Sequence, residues 1–191
     1  MIKLILAVAV ITSSCFFGSI IDFSEHDLDG KENKILNSGF EEVDVDANPI
    51  PLGWTILNDL ENTISTDTEI FNSGNRSLKI SHPKKKISII SESFPINSEA
   101  IFFSRCFIKT NYKSNHAVNI LFIAFNSEGK QVSKFNAKGY PKENWTEVVL
   151  TTGFFKPDAQ FGRIVITFPN RADKVYWLDD VESFDVYKIQ K

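Results

Sequence analysis

Residues that carry redox, nucleophilic or catalytic metal chemistry are scarce in this sequence. Its 191 residues include two cysteines, three histidines and one methionine. No zinc-ligand spacing, nucleophile elbow or phosphate-binding loop is present. His26, His82 and His116 each stand alone, so we interpret them as surface residues. The sequence therefore predicts that the protein is not an enzyme.

An excess of charge of one sign is also absent. The chain has 21 Lys and Arg against 24 Asp and Glu, for a net charge of −3. Apart from Lys84, Lys85 and Lys86, the basic residues are scattered. Because nucleic-acid binding needs a broad cationic surface, we expect no nucleic-acid partner.

Helical periodicity is nearly absent, and short apolar runs take its place. These runs are separated by Gly, Pro, Asn, Asp and Ser, and the chain contains 17 phenylalanines. Both features are typical of an all-β domain. We predict strands at residues 55–57, 77–81, 87–94, 101–110, 117–126, 130–136, 146–152, 163–167 and 175–187. So many short strands fit a two-sheet antiparallel β-sandwich, in which each sheet buries one face.

The N-terminus resembles a bacterial lipoprotein signal. Lys3 precedes an apolar stretch, and small polar residues lead into Cys15, which would be the lipidated first residue of the mature protein. Thr12 departs from this pattern, since an aliphatic residue usually stands three residues before the cysteine. A simple secretory signal, or an uncleaved anchor over residues 2–21, remains an alternative.

We divide the chain into a signal peptide at residues 1–14, a lipidated cysteine with an acidic tether at 15–33, and a binding domain at 34–191. Acylation of Cys15 would leave Cys106 without a disulfide partner. Cys106 lies in an apolar strand pattern and is expected to be a small buried residue. The expected location is the bacterial cell envelope, at the outer membrane or cell surface, where several acyl chains would hold the domain on the membrane.

Six short motifs occur in an order that resembles one superfamily. They are Asn37 to Glu42, Pro51 to Trp54, Ser73 to Ile80, Phe107 to Lys109, Asn144 to Thr146, and Tyr176 to Val181. Together they resemble carbohydrate-binding modules of the galactose-binding-like jelly roll, which include families 4, 9 and 22. The resemblance covers nearly the whole predicted domain and implies a jelly-roll fold more strongly than any one function.

The resemblance also implies a structural calcium ion where the first and last strands meet. Carried over by position, Glu41 and Asp179 would be the carboxylate ligands, and carbonyls of residues 72–75 would complete the shell. The alternative is that both are ordinary surface acids. Asp180 would point away from Asp179 in a regular strand, so the two would share an ion only if a bulge intervened.

The strand at residues 101–110 offers a candidate ligand platform. Alternation predicts one core-facing set: Phe102, Ser104, Cys106 and Ile108. It predicts a second, outward set that mixes aromatic and cationic side chains: Phe103, Arg105, Phe107 and Lys109. We expect the second set to bind a glycan or polysaccharide, possibly an acidic one. The alternative is that a loop or the N-terminal segment covers this face.

Neighbouring strands are expected to extend the platform. The candidates are Asn119, Leu121, Ile123, Phe125, Arg163 and Thr167. Trp54, Trp145 and Trp177 are interpreted as packing residues rather than ligand contacts, which weakens the argument for sugar binding.

Two functions from different classes remain. The first is a non-catalytic, surface-anchored glycan-binding domain. The second is a lipid-anchored interaction protein, such as an adhesin or an accessory subunit of an envelope complex. Apolar residues on both faces of strands such as 87–90 and 121–125 favour the second. Two carboxylates that hydrolyse a glycoside need no fixed spacing in the sequence, so spacing does not exclude this activity. The acids that the resemblance places best, however, are those assigned to calcium.

Overall fold

The computed structural model describes residues 25–43, 50–58 and 63–188. The predicted signal peptide and Cys15 lie outside these residues, so lipidation stays a prediction. Within the described ranges, no helix is both long and apolar enough to cross a bilayer.

Strands are nearly the only regular secondary structure in the described chain. One helical turn, α1 (Glu25–Leu28), precedes them. The strands are β1 (Trp54–Leu57), β2 (Ile64–Asp67), β3 (Ser77–Ser81), β4 (Ile87–Ser91), β5 (Phe94–Pro95), β6 (Ala100–Thr110), β7 (Val118–Phe125), β8 (Gln131–Gly139), β9 (Thr146–Thr151), β10 (Phe161–Phe168) and β11 (Val175–Lys188).

The strands form two antiparallel sheets, which confirms the predicted β-sandwich. In the first sheet the order is β1–β4–β10–β7–β8, with β5 beside β10. In the second sheet the order is β2–β3–β11–β6–β9. Strands distant in sequence are therefore neighbours in both sheets, and β11 lies at the centre of the second.

The sequence missed β2 and merged β4 with β5. β2 has the sequence Ile-Ser-Thr-Asp, in which only Ile64 is apolar and buried. Its pairing with β3 supplies the partner that the local pattern does not reveal. β4 and β5 both pair with β10, but two residues outside any strand separate them.

The core lies between the sheets, and alternating burial along the strands supplies many of its side chains. Along β7 every second residue is buried, beginning with Val118. Phe102, Phe122 and Phe155 pack together in the core, with ring centroids 5.2–6.0 Å apart. Cys106 is fully buried, and burial raises the pKa of its thiol. The period-two pattern therefore determines which side chains are left to the two outer faces.

The end of the predicted tether lies against the domain. The Lys34 amide donates to the Ser183 carbonyl, and the Asn33 Oδ1 accepts the Ser183 amide at 3.0 Å. Leu28 is buried in a small cluster with Phe103 and Phe184. Leu28, Asn33 and Lys34 therefore contact the second sheet, while the boundary at residue 34 stays a prediction.

Candidate functional site

We use two names for the outer surfaces of the sandwich. The first-sheet face is the outer surface of β1, β4, β10, β7 and β8, and the second-sheet face is that of β2, β3, β11, β6 and β9. The four residues of the predicted platform lie together on the second-sheet face: Phe103, Arg105, Phe107 and Lys109. Their alternation partners Phe102, Ser104, Cys106 and Ile108 are buried in the core.

One end of this platform is covered by the N-terminal segment. Phe103 is only 6% exposed, because Leu28 and Phe184 pack against it and Val186 adds to the cluster. A ligand could reach the Phe103 ring only by displacing side chains that pack against it.

The two cations of the platform have partners within the protein. Arg105 Nε donates to Glu182 Oε2 at 2.5 Å, and Nη1 lies 3.3 Å from Glu147 Oε1. The same guanidinium lies 5.8 Å from the centroid of the Phe107 ring. Lys109 Nζ donates to the Glu143 carbonyl. The Arg105 charge is therefore neutralised by two acids, and the Lys109 ammonium is hydrogen-bonded to a backbone carbonyl.

A third polar group on the second-sheet face, centred on Asp67, also has its hydrogen-bond partners within the protein. Trp177 is 6% exposed, and its indole donates to Asp67 Oδ2 at 2.9 Å. Lys79 Nζ lies 3.1 Å from the same oxygen. Partial burial raises the pKa of Asp67, but hydrogen bonds from Trp177, Lys79 and the amides of Glu69 and Ile70 outweigh it and hold this pKa at about 2.

The residues expected to extend the platform lie on the opposite side of the molecule. Asn119, Leu121, Ile123 and Phe125 belong to β7, and Arg163 and Thr167 to β10, both in the first sheet. That expectation was wrong because alternation assigns a side chain to one face of a strand but does not assign the strand to a sheet.

An aromatic cleft occupies one end of the first-sheet face. It has a volume of about 260 Å³ and is lined by Ser93, Phe125, Asn126, Ser127, Gly129, Phe161 and Arg163. Phe125 and Phe161 are cross-strand partners, and Phe161 is 40% exposed. The Arg163 guanidinium lies 6.0 Å from the Phe125 ring centroid. We call this group the aromatic cleft.

Phe161 and Asn126 were not among the predicted site residues. Phe161 lies two residues before the predicted strand 163–167, so extending its alternation would have placed Phe161 beside Arg163. Asn126 begins the turn after β7, where its Oδ1 accepts the amides of Glu128 and Lys130. The side-chain nitrogen of Asn126 donates no hydrogen bond to any of the described residues.

The predicted calcium ligands meet at the loop of residues 72–76. Asp179 is fully buried, and its Oδ2 accepts the amides of Asn72 at 2.7 Å and Ser73 at 3.3 Å. Burial raises the pKa of Asp179 to about 7, the charge of Asp180 adds to the rise, and the amide hydrogen bonds only partly offset it.

Glu41 holds the other half of the same loop. Its Oε1 accepts the amides of Asn75 at 2.8 Å and Arg76 at 3.2 Å. Gly74 has φ +68°, and a Cβ there would lie 2.1 Å from Glu41 Oε1. Only glycine therefore permits this close approach of carboxylate and loop.

A bulge brings Asp180 to the same side as Asp179. The register of β11 against β6 shifts between Asp179 and Glu182, and Asp180 has φ +45°. A Cβ placed on Gly39 would lie 3.6 Å from Asp180 Oδ1 and 3.7 Å from Asp179 Oδ1. The bulge that sequence alternation required is therefore present.

The acids at this loop present carboxylate oxygens, which a hard cation prefers, and within the described ranges Asp179 has no cationic partner. Across the described ranges, however, no three His, Cys, Asp or Glu side chains are close enough together to hold a metal ion. A cation would thus require backbone carbonyls as additional ligands.

The described histidines do not converge on any site. His82 Nδ1 lies 3.0 Å from the Ala172 carbonyl, and His116 Nε2 lies 3.1 Å from Arg171 Nη1. His26 lies in α1.

No family model matches the sequence, and no curated protein matches it. Solved structures do match. A family 16 carbohydrate-binding module has a TM-score of 0.58 and 16% identity, over 79% of this chain and 99% of the module. The chain has the jelly-roll fold of carbohydrate-binding modules.

Two further structures show the range of proteins with this fold. A family 11 carbohydrate-binding module from Clostridium thermocellum, in complex with a β-1,3-1,4-mixed-linked tetrasaccharide, has a TM-score of 0.51 and 13% identity over 82% of this chain and 98% of the module. An arabinose-bound α-L-arabinofuranosidase has a TM-score of 0.57 and 13% identity over 80% of this chain. This chain spans 26% of that enzyme's length. At such identities the likeness establishes the fold alone.

Proposed function

We propose that the protein is a non-catalytic carbohydrate-binding domain that holds a glycan on its first-sheet face. The observation that carries this proposal is the aromatic cleft, where an exposed phenylalanine adjoins a cationic side chain and uncommitted polar groups. The fold that it shares with carbohydrate-binding modules supports the same function.

The chemistry of the aromatic cleft suits a sugar ring. Phe161 and Phe125 offer apolar surface for the face of a pyranose, and Arg163, Asn126 and Ser127 offer hydrogen-bonding groups for its hydroxyls. A second cleft, lined by Thr55, Ser91, Glu92, Ser93 and Arg163, continues from the first through two shared residues. The face can therefore accommodate more than one sugar unit.

The second-sheet face is the competing location. Phe103, Arg105, Phe107 and Lys109 remain the sequence-based prediction of a glycan site, and they do lie side by side. Their contacts with Leu28, Glu182, Glu147 and the Glu143 carbonyl favour the first-sheet face instead, because a ligand would have to replace each contact.

Binding of the purified full-length protein to a broad glycan array tests the proposal and locates the site. Phe161→Ala should lower affinity roughly two- to tenfold, since stacking on an aromatic ring contributes about 0.5–1.5 kcal/mol. The matched variant Phe107→Ala, on the second-sheet face, should bind like the native protein. Loss of binding only in Phe107→Ala would return the site to the sequence-predicted platform. A folded protein that binds no glycan would contradict the proposed function.

We also propose a structural calcium ion held by Glu41 and Asp179. Support comes from the buried charge of Asp179, from Asp180 on the same side of the bulge, and from the close packing of Glu41 against the loop at residues 72–76. Such an ion would neutralise the acids and join the first motif of the domain to β11. It would take no part in chemistry.

Calcium should raise the midpoint of thermal unfolding, and a chelator should reverse the effect. In Asp179→Asn the response to calcium should be lost, because one of the two principal carboxylates is gone. Magnesium at equal concentration is the control, since it favours a smaller octahedral shell. An unfolding midpoint that calcium leaves unchanged would contradict the proposal.

Anchoring through a lipidated Cys15 in a bacterial envelope remains part of the proposal. Cys15→Ala should move the protein from the membrane fraction to the soluble fraction. Retention of the variant on membranes would exclude Cys15 as the anchor.

A further inference from the structure

Another cleft, whose chemistry differs from that of the aromatic cleft and its continuation, lies at the other end of the first-sheet face. It has a volume of about 290 Å³ and is lined by Lys86, Asn119, Leu121, Lys134, Asn136 and Thr167. We call it the lysine cleft. None of its lining residues is an acid, and two of them are cations.

Strand register brings these residues together from distant parts of the sequence. Asn119 of β7 is the cross-strand partner of Thr167 in β10, and Leu121 is the partner of Asn136 in β8. Lys134 stands opposite Ile123, one step further along the outer row. Lys86 directly precedes β4, so it reaches the cleft from the other side of β10.

The lysine and asparagine side chains of the lysine cleft lack partners among the described residues. Among the residues that the structure describes, neither Lys86 nor Lys134 has an ion-pair partner. Within the same ranges, the side-chain amides of Asn119 and Asn136 form no hydrogen bond. On the second-sheet face, by contrast, Lys79, Arg105 and Lys109 all have acceptors.

The donors of this cleft outnumber its acceptors. A lysine ammonium carries three donors and no acceptor, and each asparagine amide adds two donors. The Thr167 hydroxyl lies 3.3 Å from the Ser88 hydroxyl at the edge of the group. Carboxylate and sulfate groups are acceptors with negative charge, so they complement this arrangement better than a neutral hydroxyl.

We propose that the lysine cleft binds the anionic group of an acidic polysaccharide, either a carboxylate or a sulfate. This inference rests on the proposed glycan-binding function and specifies its ligand class. Phe161 of the aromatic cleft and Thr167 of the lysine cleft lie at opposite ends of β10, about 20 Å apart along the strand. One polysaccharide chain can therefore stack on the aromatic cleft and place an acidic residue in the lysine cleft.

The test compares acidic polymers with their neutral counterparts. Polygalacturonate is paired with its fully methyl-esterified form, and dextran sulfate with dextran, so that the two pairs distinguish carboxylate from sulfate. The purified full-length protein should bind at least one acidic member roughly tenfold more tightly than its neutral partner, and added salt should weaken that preference.

The double variant Lys86→Ala/Lys134→Ala should lose this preference while retaining binding to the neutral partner. The matched control, Lys85→Ala/Lys156→Ala, removes the same charge from exposed lysines outside the cleft and should change the preference less than about twofold. All four side chains are exposed, so folding is not at stake.

Each outcome separates this inference from the proposed function. Equal binding of the acidic and neutral forms would overturn the proposal for the lysine cleft, and so would equal losses of the acidic preference in the two double variants. In either case glycan binding at the aromatic cleft would stand. Binding to neutral glycans alone has the same meaning. Failure of the protein to bind any of these polymers overturns the lysine-cleft proposal, and the proposed function is overturned as well only if the broad glycan array also shows no binding.

Discussion

The two outer faces of the sandwich are built from the same alternation, but they differ in what their polar side chains contact. On the second-sheet face, Arg105, Lys109 and Asp67 are each paired within the protein, and Leu28 covers Phe103. On the first-sheet face, Arg163 and Lys134 face clefts and have no ion-pair partner within the described ranges.

This difference shows that composition alone is a poor guide to a binding surface. The second-sheet face has the more suggestive sequence, with aromatic and cationic residues in regular alternation. Its groups nevertheless contribute to the stability of the domain, since they satisfy one another. On the first-sheet face the hydrogen-bond donors contact solvent. A ligand can bind such donors without first breaking a contact within the protein.

The largest difference in stability between the two faces is expected for a pair of phenylalanine substitutions. Phe103→Ala should lower the free energy of unfolding by about 2–3 kcal/mol, because it opens a cavity beneath Leu28 and beside Phe184. Phe161→Ala should cost less than about 1 kcal/mol, since that ring is 40% exposed. Urea unfolding followed by tryptophan fluorescence measures both. Equal losses would mean that the two faces do not differ in the way described.

A smaller, pH-dependent effect should distinguish the paired acid of the second-sheet face. The folded-state pKa of Asp67 is about 2, below its ordinary 3.8. Its ionised form therefore stabilises the fold above pH 3.8, and this contribution disappears as pH falls towards 2. Asp67→Asn should be less stable than the native protein by about 1–2 kcal/mol at pH 6.

The gap between Asp67→Asn and the native protein should close near pH 2. Urea unfolding at pH 6 and pH 2.5 measures it, with Asp173→Asn as the control. Asp173 forms its ion pair with Arg171 on an exposed loop, so its removal should have a smaller effect. A gap that is independent of pH would mean that Asp67 acts through packing rather than charge.

Much of the fold was accessible from the sequence because it depends on local pattern. Alternation sorted β6 correctly into core residues such as Cys106 and outward residues such as Phe107. Turn residues divided most strands correctly. A single apolar residue, Ile64, is too weak a pattern to predict β2, because that strand depends on its pairing with β3.

The candidate site was less accessible, because it depends on which strands become neighbours. Leu28 is far from Phe103 in sequence, so nothing local predicts that it covers the platform. Lys86 and Lys134 meet the same cleft only because β10 and β7 lie between their strands. Sheet assignment, rather than residue type, separated the predicted platform from the clefts.

The position of β11 has a consequence for how this chain acquires its structure. β11 is the last of the described strands, yet it lies between β3 and β6 at the centre of the second sheet. Without β11, that sheet would be left as two separate strand pairs, β2 with β3 and β6 with β9. Such pairs are marginally stable alone, so completion of the domain must follow completion of this strand. Folding is therefore expected to be late, dominated by long-range pairing, and slow for a domain of this size.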